Sequence, residues 1–301
     1  MLIKSKDPSD EAIQQLEKIK HISGLSEETQ ANVERELKTL VAGNRGEENS
    51  AYFIDFYYRH HPNWAIIHDL RIEHNGNIAQ IDHLLINRRF EFYVLESKSY
   101  AYGVKITERG EFLIWQRDKY RAIESPIEQN KRHIYLLERF LSEENLLPKR
   151  LGINIEPSFK PYVIISPKSN VIRPSVKKLN TNVVIKSDEL FKQIQADGDN
   201  ESLVDAFGSL AKLISTETLI EFSKRLVSFH KPASINYYAK FGIETKKENP
   251  VSERKQEATD KNYFCAKCGK PVTEKVAMFC FSNKKRFGGK AYCFEHQKLF
   301  D

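Results

Sequence analysis

The hydrophobic positions near the N-terminus recur every three or four residues, which predicts helices. A first helix is expected to begin at Asp7-Pro8, where an N-cap residue precedes a proline at the first helical position. A second is expected between Ser26, as its N-cap, and Gly43, as its C-terminal glycine. A third is expected from Gly46 to about His60.

Denser apolar runs follow and predict a sheet. Asn75-Gly76-Asn77 separates two of them and is typical of a tight hairpin. Ser125-Pro126-Ile127-Glu128 is typical of a helix start, and that helix should run to about Asn145. The expected strands are Trp64 to Glu73, Ile78 to Ile86, Phe90 to Ser99, the hairpin Val104 to Thr107 and Phe112 to Gln116, and residues 161–165 and 183–185; further helices are expected near residues 201–214 and 218–229.

Composition narrows the class of protein. Among 301 residues, 47 Lys and Arg against 41 Asp and Glu give a net charge of +6, which permits a nucleic-acid partner without requiring one. No apolar run approaches the roughly 18 residues of a membrane span, and no apolar leader is visible. All four cysteines follow residue 264, which argues against a secreted disulfide scaffold and favours metal ligands. We therefore expect a cytoplasmic protein with no membrane partner.

Charged side chains interrupt the third predicted strand. Glu96 and Lys98 share one face of a strand that is otherwise apolar on both faces, so we expect them to be paired or to bind a metal. Asp82 lies on the preceding strand, and an Asp with Glu-x-Lys can hold Mg²⁺ through carboxylate oxygens. The lysine could orient water or hold a phosphate, which suits phosphodiester hydrolysis. The alternative is a structural Glu–Lys ion pair, with Asp82 capping a turn.

This part of the chain resembles the NERD (nuclease-related) domain of the PD-(D/E)XK nuclease superfamily. The resemblance covers about residues 40–165. It implies an α/β fold with a restriction-endonuclease-like mixed sheet flanked by helices, and a nuclease that hydrolyses phosphodiester bonds in DNA. The matching motifs are Gly46-Glu47, His68-Asp69-Leu70 with Asn75-Gly76-Asn77, Gln80-Ile81-Asp82-His83, Leu95-Glu96-Ser97-Lys98-Ser99-Tyr100, and Ser125-Pro126-Ile127-Glu128-Gln129.

The resemblance also implies roles for individual residues. Asp82 and Glu96 become ligands of Mg²⁺ or Mn²⁺, and Lys98 becomes the catalytic lysine. Glu47 becomes an acid contributed by a helix, and Gln129 an accessory catalytic residue. His133 lies one helical turn after Gln129, where related nucleases often have Tyr, so its role stays open. The alternative function is a non-catalytic nucleic-acid-binding or adaptor protein in DNA processing.

The C-terminal segment contains two metal-binding hooks. Cys265-Ala266-Lys267-Cys268 and Cys293-Phe294-Glu295-His296 together offer four ligands for a tetrahedral structural Zn²⁺, namely Cys265, Cys268, Cys293 and His296. Cys280 either replaces one of them or packs as a small apolar residue. Basic and aromatic residues alternate between the hooks, which suits contact with nucleic acid; a solvated surface and a protein-binding zinc ribbon are the alternatives.

These patterns divide the chain into five segments. They are N-terminal helices at 1–43, a NERD-like nuclease domain at 44–190, a helical extension at 191–243, a charged linker at 244–262, and a zinc-ribbon-like module at 263–301.

Overall fold

The computed structural model describes residues 1–116, 118–175, 181–199, 212–243 and 263–300. They belong to two compact units, Met1–Gly242 and Ile243–Asp301. The predicted linker at 244–262 and nearly all of the helix predicted near 201–214 lie outside the described residues. No helix within the described ranges has the length and apolar character needed to cross a membrane. The five-segment division stays a prediction.

The first unit has a short first strand, two helices, a run of strands, a further helix, more strands and a final group of helices. Its strands are β1 (Leu2–Lys4), β2 (Trp64–His74), β3 (Asn77–Asn87), β4 (Glu91–Lys98), β5 (Val104–Ile106), β6 (Phe112–Gln116), β7 (Lys119–Ile123), β8 (Lys149–Arg150), β9 (Ile153–Asn154), β10 (Ser158–Ile165), β11 (Val171–Ile172) and β12 (Val184–Lys186). Its helices are α1 (Asp10–Lys20), α2 (Glu27–Tyr58), α3 (Pro126–Glu143), α4 (Leu190–Asp199), α5 (Thr216–Val227) and α6 (Tyr237–Lys240).

A six-stranded mixed sheet forms the centre of this unit, in the order β1-β2-β3-β4-β10-β12. β4 is an interior strand, antiparallel to β3 and parallel to β10, and Phe92 to Leu95 are buried on both of its faces. The Asn75-Gly76 turn has positive φ at both residues, 48° and 75°, as the predicted tight hairpin requires. The mixed α/β fold class is therefore confirmed.

Helices cover both faces of the sheet. On one face, α3 and α5 contribute Leu137, Phe140 and Phe222 to the same core cluster as Phe92 and Val94. On the other face, α2 and α4 form a second cluster with β2, β3, β4 and β10; its members include Ile54, Tyr58, Ile66, Leu85, Tyr93, Leu95, Tyr162, Leu190 and Ile194. Because β4 separates two apolar cores, a charged side chain at its end stays in contact with a low-dielectric interior.

Two predicted helix ends are wrong. α2 is one helix of 32 residues that passes through Gly43, because buried residues anchor it both before that glycine, at Leu37, and after it, at Ile54. Ser26 does cap it, accepting a hydrogen bond from Thr29 N at 3.1 Å. α1 begins at Asp10 rather than at Asp7-Pro8. The Asp7 carboxylate instead binds Lys4 and His230, each at 2.7 Å, so it does not cap the helix.

The two glycines in the middle of α2 should respond differently to substitution. Apart from the adjacent residues and the backbone of the same helix, no atom of the described residues lies within 4 Å of a Cβ added at Gly43. Gly43→Ala should therefore raise the free energy of unfolding by about 1 kcal/mol through helix propensity alone. A Cβ added at Gly46 lies 2.9 Å from Ser99 Cβ, so Gly46→Ala should lose this gain or destabilise the protein. Urea unfolding of both variants measures the difference; equal stabilisation would contradict it.

Candidate active site and metal cluster

Backbone pairing between strands β2, β3 and β4 is interrupted at one row of acidic residues. Pairing between β3 and β4 runs to His83–Leu95 and stops there, just before Asp82 would face Glu96. Pairing between β2 and β3 keeps one register but is interrupted where Asp69 faces Asp82. Three carboxylates on three adjacent strands therefore lie in a single row at the point where backbone hydrogen bonding gives way.

The side-chain alternation of β2 and β3 shifts by one residue at this row. Leu70 and Ile72 of β2 pack in the same core cluster as Ala65 and Ile67, although strict alternation would send them to opposite faces. β3 shows the same shift between Ile81 and Leu84, so both strands rotate together and keep their register.

The rotation of β2 occurs at Asp69, whose φ is +54°. Asp tolerates this left-handed conformation better than most residues. Lys4 Nζ donates to the Asp69 carbonyl oxygen at 3.0 Å, and Gln80 Nε2 donates to the Asp69 carboxylate at 3.0 Å. The unusual backbone is therefore held by specific contacts next to the acidic row.

Asp82 is fixed by the strand beside it. Its Oδ2 accepts from Ser97 N at 2.7 Å and from Ser97 Oγ at 2.8 Å, replacing the missing ladder bonds between β3 and β4. Burial, assisted by the charge of Glu96, raises the pKa of Asp82 to about 7 despite these bonds. The carboxylate is thus pre-oriented, and a nearby cation would favour its charged form.

Glu96 is nearly fully buried, and only one of its two carboxylate oxygens accepts a hydrogen bond from the described residues. Its Oε1 lies 2.5 Å from Lys98 Nζ, while Oε2 has no hydrogen-bond partner among the described residues and lies 3.5 Å from His133 Nδ1. Burial raises the pKa of Glu96, although Lys98 opposes this. A buried carboxylate oxygen without a donor fits a bound divalent cation.

Glu47 approaches the same place from α2. Its carboxylate lies 2.6 Å from Lys6 Nζ, and the same ammonium donates to Asn44 Oδ1 at 2.9 Å. Burial, followed by repulsion from Asp82, raises the pKa of Glu47. Sequence reasoning missed Lys6, because nothing in its local pattern connects it to a glutamate 41 positions later.

α3 presents Gln129 and His133 to the same cleft. Between them, the buried Asn130 side chain donates to Val94 O at 2.8 Å and to Tyr162 O at 3.0 Å. These bonds join α3 to β4 and β10 and fix the rotation of the helix against the sheet. Burial lowers the pKa of His133 to about 4, so its imidazole is neutral.

All five predicted catalytic residues line one open cleft of about 930 Å³. They are Glu47, Asp82, Glu96, Lys98 and Gln129. The carboxylates suit a hard cation such as Mg²⁺ or Mn²⁺, for which Asp82 and Glu96 are the predicted ligands. Their roles stay predictions, but the structure brings them together.

A comparison with known families matches the part of the chain that contains the predicted catalytic residues. Residues 42–166 match the family model described as nuclease-related domain, NERD. This segment is a nuclease-related domain. No curated protein and no solved structure matches the chain. The NERD match begins inside α2 and ends just after β10, so it contains the five predicted residues but not Lys6.

The second unit lies outside the NERD domain and holds the cysteine cluster. Its elements are strands β13 (Tyr263–Phe264) and β14 (Pro271–Val272) and helices α7 (Glu274–Ser282), α8 (Lys284–Phe287) and α9 (Phe294–Gln297). Cys265, Cys268, Cys293 and His296 offer ligand atoms that lie within 4.8 Å of one another. Gly269 has a φ of +70° and turns the backbone after the first hook.

The spacing of these ligand atoms fits tetrahedral Zn²⁺. The Cys268 and Cys293 sulfurs are 3.8 Å apart, and His296 Nδ1 lies 3.4 Å from the Cys265 sulfur and 3.3 Å from the Cys293 sulfur. A tetrahedron with ordinary Zn–S and Zn–N bonds has S···S edges of about 3.8 Å and S···N edges of about 3.6 Å.

Cys280 is not part of this cluster. It is fully buried, and its sulfur accepts from Tyr292 N and from Gln297 Nε2, each at 3.4 Å. Of the two readings left open by the sequence, packing as a small apolar residue is the one that the structure supports.

Proposed function

We propose that the NERD domain is a metal-dependent nuclease that hydrolyses phosphodiester bonds in DNA. The observation that carries the proposal is the buried Glu96 carboxylate, which faces a cleft shared with Asp82 and Glu47. One of its oxygens binds Lys98, and the other has no hydrogen-bond donor in the part of the chain that the structure describes. A structural ion pair would be expected to satisfy both carboxylate oxygens.

The residues of the cleft have separate roles in the proposed hydrolysis. Asp82, oriented by Ser97, and Glu96 would hold Mg²⁺ or Mn²⁺, which when bound lowers the pKa of water and neutralises the phosphate. Burial opposes the charged form of Lys98, but Glu96, Asp82 and Glu47 outweigh it and raise the pKa of the ammonium. Lys98 therefore stays charged and can stabilise negative charge that develops on the phosphorus oxygens.

Gln129 and the neutral His133 can donate hydrogen bonds to the substrate from α3. Glu47 adds a third carboxylate from α2. It can accept a proton or help to hold a cation once Lys6 turns to another partner.

We also infer that the second unit binds one structural Zn²⁺ through Cys265, Cys268, Cys293 and His296. None of the four cysteines is in a disulfide, which suits a reducing compartment, and we propose a cytoplasmic location. The basic residues of this unit, among them Lys284, Lys285 and Arg286, support contact with DNA; a protein partner is the alternative.

A cleavage assay tests the nuclease proposal. Wild-type protein should cut DNA with Mg²⁺ or Mn²⁺ and not with EDTA, on at least one of linear, circular and single-stranded substrates. Asp82→Ala should lose both cleavage and metal binding, because it removes a ligand that Ser97 holds in place. Asp10→Ala, an exposed Asp at the start of α1, is the matched control and should cut normally.

RNA of the same sequence separates the two nucleic acids as substrates. Wild-type protein that binds DNA and metal but cuts nothing would overturn the nuclease proposal and favour the adaptor function.

A further inference from the structure

The cleft extends along α2, well beyond the acidic residues. The lining residues of α2 recur every three or four positions and form one stripe on the helix surface. At 1.5 Å per residue, the stripe is about 24 Å long. Its members include Ala31, Arg35, Lys38, Thr39, Ala42, Gly43, Gly46 and Glu47.

The chemistry of this stripe changes along its length. Next to the acidic residues it consists of Ala42 and Gly43, which leave the helix backbone accessible, and Gly46, which packs against Ser99. At the far end it carries Arg35, which donates to the neutral Asn32 Oδ1, and Lys38, whose side chain is 79% exposed.

One acidic residue lies among these basic groups. Glu34 also lines the cleft, but it is shared between Lys38 at 3.6 Å and Lys20 at 4.0 Å. Glu34, Arg35 and Lys38, the charged side chains that line this end, carry a net charge of +1, and Lys20 of α1 offsets part of the charge of Glu34. The far end of the stripe therefore attracts anions, while the near end offers space.

We propose that this stripe is a track for a single strand of nucleic acid, an inference that rests on the proposed nuclease function. Arg35 and Lys38 bind backbone phosphates, and the strand then passes over Ala42 and Gly43 to reach Glu47, Asp82 and Glu96. The small residues let the sugar–phosphate chain approach the helix closely, and the basic residues hold it in register.

The shape of the cleft favours a single strand. The cleft has a volume of about 930 Å³ and follows about 24 Å of the helix. A recess that follows one helix suits a single flexible polynucleotide strand laid along it.

The helix also sets the distance between the two ends of the track. Arg35 and Glu47 are 12 positions apart, or about 18 Å along the axis. A stacked strand advances about 3.4 Å per nucleotide, so about five nucleotides separate the phosphate at Arg35 from the phosphate at the acidic residues.

Binding measured without metal tests the track even if no cleavage is found. Fluorescence anisotropy in EDTA would compare a 20-nucleotide thymidine strand with a blunt 20-base-pair duplex. The double variant Arg35→Ala/Lys38→Ala should weaken single-strand binding about tenfold and reduce the slope of log K against log salt by about 1.4, as expected for two lost phosphate contacts. Arg45→Ala is the matched control, since Arg45 is exposed on the same helix but does not line the cleft.

A steric variant tests the narrow part of the track. Gly43 has open space around it, so Gly43→Leu should keep the fold and still weaken single-strand binding at least tenfold. Unchanged binding by both the double variant and Gly43→Leu, equal weakening by Arg45→Ala, or tighter binding of the duplex than of the strand would overturn the proposal. Normal metal-dependent cleavage alongside any of these results would leave the nuclease function standing without the track.

Discussion

Lys98→Ala should abolish DNA cleavage while leaving metal affinity nearly unchanged or slightly higher. The ammonium lies 2.5 Å from Glu96 Oε1, so it competes with a cation for that oxygen. Removing it takes away a repulsive charge from the metal ligands. It also takes away the group that stabilises charge on the reacting phosphate, which should cost cleavage about 100-fold or more.

Two measurements on the same samples separate these effects. Calorimetric titration with Mn²⁺ reports metal binding, and single-turnover cleavage reports the chemical step. Lys131→Ala is the matched control, because Lys131 is an exposed lysine of α3 that pairs with Glu128 and does not line the cleft. If Lys98→Ala cuts as well as wild type, the assigned site is wrong even if the protein is a nuclease.

Cys268→Ser should lose Zn²⁺ and unfold the second unit, whereas Cys280→Ser should keep the metal. Cys268 is exposed, so its substitution removes no packing and acts only through the metal. Cys280 is fully buried, so its substitution disturbs packing but leaves all four ligands in place. A unit of this size has too small a core to fold without a metal or another cross-link.

Elemental analysis of the full-length protein gives the zinc content, and amide exchange of residues 263–300 reports whether the second unit is folded. Absence of zinc from wild type, or equal zinc loss in both variants, would contradict the ligand assignment. Retained amide protection in zinc-free Cys268→Ser would contradict the claim that the metal stabilises the fold.

Local patterns in the sequence were sufficient for most of the sheet and for the position of the cleft. Asn75-Gly76 turns where the chain must reverse, and Ser125 caps α3 by accepting from Glu128 N at 3.4 Å. Asp82 and the Glu96-x-Lys98 pair lie close together because β3 and β4 are hairpin neighbours, so their proximity follows from short-range order.

Contacts between distant parts of the chain could not be predicted in the same way. Gly43 looks like a helix end, and only packing on both sides of it keeps α2 continuous. Asn130 donates to carbonyl oxygens of both β4 and β10, a contact visible only when these strands and α3 are assembled. The change at Asp69 in which residues of β2 face each core cannot be read from the sequence, because β2 is apolar on both sides of the sheet.

The short strand β1 has a practical consequence for anyone who makes fragments of this protein. β1 pairs in parallel with β2 at the margin of the six-stranded sheet, yet it lies outside residues 42–166. A fragment trimmed to the family boundaries would leave the amide and carbonyl groups of β2 unpaired, and exposed edges of this kind recruit other chains and aggregate. Inclusion bodies from such a fragment would reflect the loss of β1, and of β12, α4 and α5, which the same trimming removes, and not an unstable nuclease-related domain.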